Sequence, residues 1–204
     1  MLDIGDIAVV IPAHPARVRN GMLDRAVASV WAQTLQPAEL HVVVDRHRAG
    51  AWRTRDQGLQ AVRAPWVAFL DSDDEWMRDH LEALAGTAQQ GADYVYSYYQ
   101  VRDASGRDST ADPLGHFGKP FDPSDPHQTT ITTLVRTELA QAVGFHPPPV
   151  DESIGGQRYG EDFAFTLGCV AKNARIVHVP QRTWWWYHHG RNTSGMHGQG
   201  DATD

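Results

Sequence analysis

Three short, unbroken apolar runs alternating with helical patterns constrain this chain more than any other feature. They are "IAVVIPAH" (Ile7 to His14), "LHVVVD" ending at Asp45, and "WVAFLD" ending at Asp71. Runs without polar alternation suit strands covered on both faces, as in a parallel sheet. Between the first two, "NGMLDRAVASVWAQT" sets Leu23, Ala26, Val27 and Val30 at helical spacing; between the second and third, "RTRDQGLQAVRA" reads as a short helix. The order β-α-β-α-β predicts an α/β fold: one Rossmann-like domain with a central, mostly parallel sheet flanked by helices. A length of 204 residues is enough for one such core.

The pattern loosens near residue 90. A helix is expected from His80 to Gln89, then a strand over "ADYVYSYYQV". Arg102 to Gln128 is rich in Asp, Gly, Pro and Ser and reads as a long loop, which suits a functional or mobile segment. "TTITTLV" predicts a strand and "RTELAQAVGF" a helix stopped by Gly144. After the loop "PPPVDESIGGQRYG", a helix starts near Glu161 with Phe163, Leu167 and Val170 aligned, and "ARIVHVP" is the last expected strand. The remainder turns polar and Gly-rich, with residues 196–204 expected to form a flexible tail.

Composition excludes several classes. Apolar content of 41% and charged content of 21% describe a globular protein. A net charge of −7 argues against broad nucleic-acid binding. The single cysteine, Cys169, favours a reducing compartment. There is no basic leader and no run of ~18 apolar residues, so no stable membrane insertion and a cytoplasmic location are expected.

The third run flows into "DSDDEW", placing Asp71, Asp73, Asp74 and Glu75 within five positions. Carboxylates this close repel one another unless a cation or solvent offsets them. Ligands of open parallel sheets bind beyond the carboxyl ends of the strands. Three such ends converge here: Pro12 to His14, Asp45, and Asp71 to Asp74. A hard divalent cation, Mn²⁺ or Mg²⁺, at the acidic end could bridge carboxylate to diphosphate. The plainer reading is a solvated turn opening the next helix.

Taken in order, "VVIPAH", "VVVD", "RTRDQGL", "VAFLDSDDEW", "YGEDFAF" and "WWYHHGRNTSG" resemble the family 2 glycosyltransferases of the GT-A fold, over roughly Ile7 to Ser194. The most specific element, "LDSDDEW", looks like that family's DxD motif. The resemblance implies an inverting transfer from a nucleotide-diphosphate sugar, a UDP-sugar foremost, to an acceptor hydroxyl. It makes residues 1–90 a nucleotide-binding half and 91–195 an acceptor and catalytic half. By position it implies Pro12, Ala13, His14 and Asp45 at base and ribose, and Arg55, Asp71 and Ser72 on the donor. Asp73 would hold the cation, joined by His189, with Arg191 on the diphosphate and His188 competing for that place. Asp162 of "GEDF" would be the general base. Two departures stand out. Asp45 is followed by Arg46, His47 and Arg48 where a second acid is usual, and the usual Arg-Asn pair is Arg55-Asp56.

Plainer roles stand beside these. Asp162 and Glu161 suit the first turn of any helix, Trp184 to Trp186 suit packing on the sheet, and Cys169 suits a buried core. Two other functions compete: a phosphohydrolase with Asp71 as nucleophile and Asp73 as acid/base, and a non-catalytic nucleotide-sugar-binding module. The acceptor stays open among a glycan, a protein, a small molecule and a modified nucleobase.

Overall fold

The structure is a computed structural model that describes residues 6–147, 153–154, 157–158 and 160–188. In chain order the elements are β1 (Ile7–Ala13), α1 (Pro15–Arg19), α2 (Met22–Trp31), β2 (Glu39–Val44), α3 (Ala51–Ala61), β3 (Trp66–Phe69), β4 (Glu75–Trp76) and α4 (His80–Ala88). There follow β5 (Tyr94–Asp103), β6 (Asp108–Ser109), β7 (Thr133–Arg136), α5 (Thr137–Val143), β8 (Ser153–Ile154), β9 (Gln157–Arg158), α6 (Glu161–Ala171) and β10 (Ile176–His188). Strands β8 and β9 form a small separate hairpin.

The main sheet runs β2-β1-β3-β7-β5-β10-β4, with β6 beside β5. β1 pairs in parallel with β2 and β3, as its apolar run predicts, and β5 pairs in parallel with β10. The "mostly parallel" expectation needs correction, because β7 lies antiparallel between β3 and β5, and β4 lies antiparallel on β10. The sheet is mixed. Insertion of β7 joins the two halves of the sequence in one sheet.

The last expected strand was too short. β10 continues past Pro180 through the tryptophans to His188, with register irregularities between His178 and Trp184. Pairing with β5 holds this polar-interrupted segment extended, so Trp184 to Trp186 lie in the sheet, not in a tail. Residues 189–204, including the expected flexible tail 196–204, fall outside the described residues.

Helices cover both faces. On one, α2 and α4 bury Leu23, Ala26, Val30, Leu81 and Leu84 with Val9, Ile11 and Trp76 of the sheet. On the other, Leu59 of α3, Ala140 of α5 and Phe165 and Cys169 of α6 pack with Val10, Phe69 and Tyr96. Gly58 lets α3 lie close to β1: a Cβ there would stand 2.6 Å from a Val10 methyl. That close seat fixes Arg55, one turn earlier.

The 102–128 segment is mostly loop, as expected, though β5 reaches Asp103 and β6 adds a short pair. Asp112 accepts hydrogen bonds from the Gly115 and Phe117 amides (2.7 and 3.1 Å) and from the Tyr98 hydroxyl. The His116 and His127 rings stack 4.2 Å apart, and the Gly118 amide donates to His178 of β10 (3.0 Å). Composition without periodicity here gave a folded strap, not a solvated coil.

Candidate functional site

The strand ends after β1, β2 and β3 gather at one edge, and Arg55 is the hub there. It sits on α3 with only 2% exposure, its guanidinium 5.2 Å from the centre of the Phe145 ring. One terminal nitrogen donates to Asp71 Oδ1 (2.7 Å); the other donates to Asp162 Oδ1 (3.1 Å) and Glu161 Oε1 (3.3 Å). One buried cation thus ties the end of β3 to the start of α6. The sequence reading put Arg55 on the donor. In the structure its terminal nitrogens are engaged by these three carboxylates.

These contacts set the charge states. Enclosure raises the Asp162 pKa most; Arg55 opposes this and repulsion from Asp71 and Glu161 adds to it, leaving it at about 7. Its side chain keeps 31% exposure, so it meets solvent. Asp71 is also raised, by enclosure first and then by Asp73, against the pull of Arg55.

Each other carboxylate of the acidic stretch has a partner. Asp73 Oδ2 meets a terminal nitrogen of Arg17 on α1 at 2.9 Å, each side chain 19% exposed. Arg25 of α2 donates to the Asp73 carbonyl (2.7 Å). Asp74 is 5% exposed and accepts the Tyr187 amide of β10 (3.0 Å). Burial, then repulsion from Asp73 and Asp71, raises its pKa well above the usual carboxylate range. Glu75 accepts the Tyr187 hydroxyl (2.6 Å), and Arg25 lies 3.6 Å over that ring. The expected repulsion is thus offset by three arginines and a tyrosine. Arg17, Arg25 and Tyr187 were not picked out from the sequence.

A cavity of about 440 Å³ opens at the end of β2, lined by Val44, Asp45, Arg46, His47, Arg53 and Gln57 among others. Asp45 lines it, but its two oxygens accept the Ala49 and Gly50 amides (2.8 and 2.9 Å), shaping its own loop. Partial burial pushes its pKa up, but the backbone donors outweigh that and hold it below normal. Pro12 and Ala13 are buried at the end of β1. His14 is exposed just beyond it and caps α1, accepting the Ala16 amide (3.2 Å). Ser72 is buried at 5% exposure. His189 and Arg191 lie outside the described residues. His188 ends β10 with its ring 4.4 Å from that of Trp186.

Among the described residues, no three His, Cys, Asp or Glu side chains converge into a complete cation cage. The donor chemistry still fits a divalent ion. Mg²⁺-like ions are usually held by one or two carboxylates plus substrate phosphates, and mutually repelling Asp71 and Asp73 would gain from such a charge.

A mixed sheet with helices on both faces and an acidic loop closing β3 defines the GT-A class of fold. S. aureus TarS 1-349 has it: its complex with UDP-GlcNAc superposes with a TM-score of 0.65 at 17% identity, covering 94% of this chain and 60% of TarS 1-349. The chain belongs to glycosyl transferase family 2, whose family model matches residues 25–141, more than half its length. ExoW, a succinoglycan biosynthesis protein of Rhizobium meliloti (strain 1021), is 36% identical over 104 residues, covering 37% of this chain and 31% of ExoW. TuaG of Bacillus subtilis (strain 168), named for teichuronic acid biosynthesis, is 44% identical over 43 residues, covering 21% of this chain and 17% of TuaG. The chain therefore spans less than a third of the length of either relative.

Proposed function

We propose that the chain is an inverting, metal-dependent glycosyltransferase unit. It moves a sugar from a nucleotide-diphosphate donor, a UDP-sugar foremost, onto an acceptor hydroxyl. The observation that carries the reading is the Arg55 junction, which fixes a solvent-facing carboxylate of pKa about 7 beside the acidic strand end. A general base works best when its pKa lies near the working pH. Asp162 takes the acceptor hydroxyl's proton as that oxygen attacks the anomeric carbon, and the bond to the diphosphate breaks with its electron pair leaving on phosphate oxygen. Arg55 holds Asp162 in place and keeps its proton affinity from rising further. Asp73, with Asp71 beside it, would hold Mn²⁺ or Mg²⁺, which supplies charge neutralisation for the departing diphosphate.

In this reading Pro12, Ala13 and the Asp45 cavity receive the nucleoside, residues 1–90 hold the donor, and 91–195 receive the acceptor. The UDP and UDP-GlcNAc complexes of TarS support the donor class. The roles for which ExoW and TuaG are named, succinoglycan and teichuronic acid biosynthesis, support a growing glycan as acceptor. Family membership weighs against the phosphohydrolase alternative. No helix of the described residues is long and apolar enough to cross a membrane.

Calorimetry with UDP, GDP, CDP, ADP and dTDP, with and without Mn²⁺, tests the donor assignment. UDP should bind tightest, only with metal, and not to Asp73→Asn. Binding without base preference or metal dependence would remove the donor assignment.

A further inference from the structure

Arg17 stands out among the arginines around the acidic stretch because so little else holds it. It lies on α1, a five-residue helix with no buried residue, between the His14 cap and Gly21, whose φ is 78°. Among the described residues its one ion-pair partner is Asp73, at 2.9 Å, and it makes one further, weak hydrogen bond, to the Met22 sulfur at 3.7 Å. Both members of the pair are 19% exposed, so water and ions reach the contact. Arg55, by contrast, is enclosed and bound to three carboxylates.

We infer that Arg17 is an exchangeable counter-ion, competing with the divalent cation for the Asp73 carboxylate. The inference rests on the proposed role of Asp73 as cation ligand. A carboxylate flanked by Asp71 and Asp74 needs a positive partner before any ligand arrives, and Arg17 supplies it. A divalent ion carries twice the charge and prefers the same hard oxygens, so it displaces the guanidinium on binding. α1 follows directly from the β1 end, so the released guanidinium stays at the strand-end mouth, where the donor's diphosphate is its natural partner. Free cation then binds weakly, and cation with donor binds well. Arg17 makes loading of the two cooperative.

The test is Mn²⁺ binding to the whole chain without nucleotide, by calorimetry, for wild type, Arg17→Ala, Arg17→Gln and Asp73→Asn, with thermal melts to confirm folding. A part-exposed ion pair of this kind weakens a competitor by about fivefold. Both Arg17 variants should therefore bind Mn²⁺ about fivefold more tightly, and UDP should raise Mn²⁺ affinity less in them than in wild type. Unchanged or weaker Mn²⁺ binding in the Arg17 variants, with binding lost in Asp73→Asn, would overturn the inference and leave the cation site standing. Absence of Mn²⁺ binding in every protein, with UDP still bound, would overturn both.

Discussion

Asp71 and Asp73, two carboxylates of one acidic stretch, are both neutralised by arginines, but the two arginines sit in different settings. At Asp71 the partner is Arg55, at 2% exposure, fixed by a helix that Gly58 seats against β1 and by two further carboxylates on α6. At Asp73 the partner is Arg17, on a helix that buries nothing. Unpairing the enclosed Arg55 guanidinium is costly because that charge has lost its water; the part-exposed Arg17 exchanges at lower cost. Two residues apart, the chain thus holds one pair that positions and one that yields. The number of ion pairs at a site says less than where each lies.

This comparison can be broken or sharpened in order of effect. Asp162→Asn, which removes the proposed base that Arg55 holds, should lower turnover by at least about 100-fold while UDP binding stays within about threefold. Equal loss of binding and turnover would move Asp162 from chemistry to donor binding. The same variant fixes the sign of a pH effect. A carboxyl pKa raised by the fold gives stability that is present below its unfolded value and lost as pH rises through its folded value, here about 7. Melting temperatures should therefore shift in favour of Asp162→Asn between pH 5 and pH 8, while wild-type turnover rises over that range and levels off above about 7.

Arg55→Ala comes next. It should cost about 3 kcal/mol in urea unfolding, at the low end for a broken buried pair because Asp71 and Asp162 keep some solvent. Arg17→Ala should cost under about 1 kcal/mol in the same assay. Similar losses from the two would erase the distinction drawn here.

The β1-to-β3 part of the fold was legible because its physics is local. Continuous apolar runs marked β1, β2 and β3, and their ends placed Ala13, Asp45 and Asp71 at one edge. What escaped depends on distant pairing. β4 has two residues and no pattern of its own, and it exists because β10 lies beside it. β10 was cut short because Pro180 and Arg182 interrupt its apolar run, and only β5 keeps it extended. The Arg55 partners Glu161 and Asp162 lie 106 and 107 positions away, which no spacing rule reaches. Arg17 did leave a signal. Four carboxylates within five positions require compensation, and Arg17 follows the β1 end, which the sequence placed at the same edge.

Asp74 is fixed by an amide 113 positions later in the chain, that of Tyr187. During synthesis, the acidic stretch emerges 113 positions ahead of the amide that fixes its loop. A nascent chain stopped at residue 150 would carry β1 to β3 with Asp45, Asp71 and Asp73 in place, yet lack β10, the Tyr187 clamp and both α6 carboxylates. Such long-range closure slows folding, because the entropy of the intervening loop is lost before the contact forms. It also makes the order of the Asp74 loop depend on β10: until Tyr187 is in place, the amide that fixes Asp74 is missing.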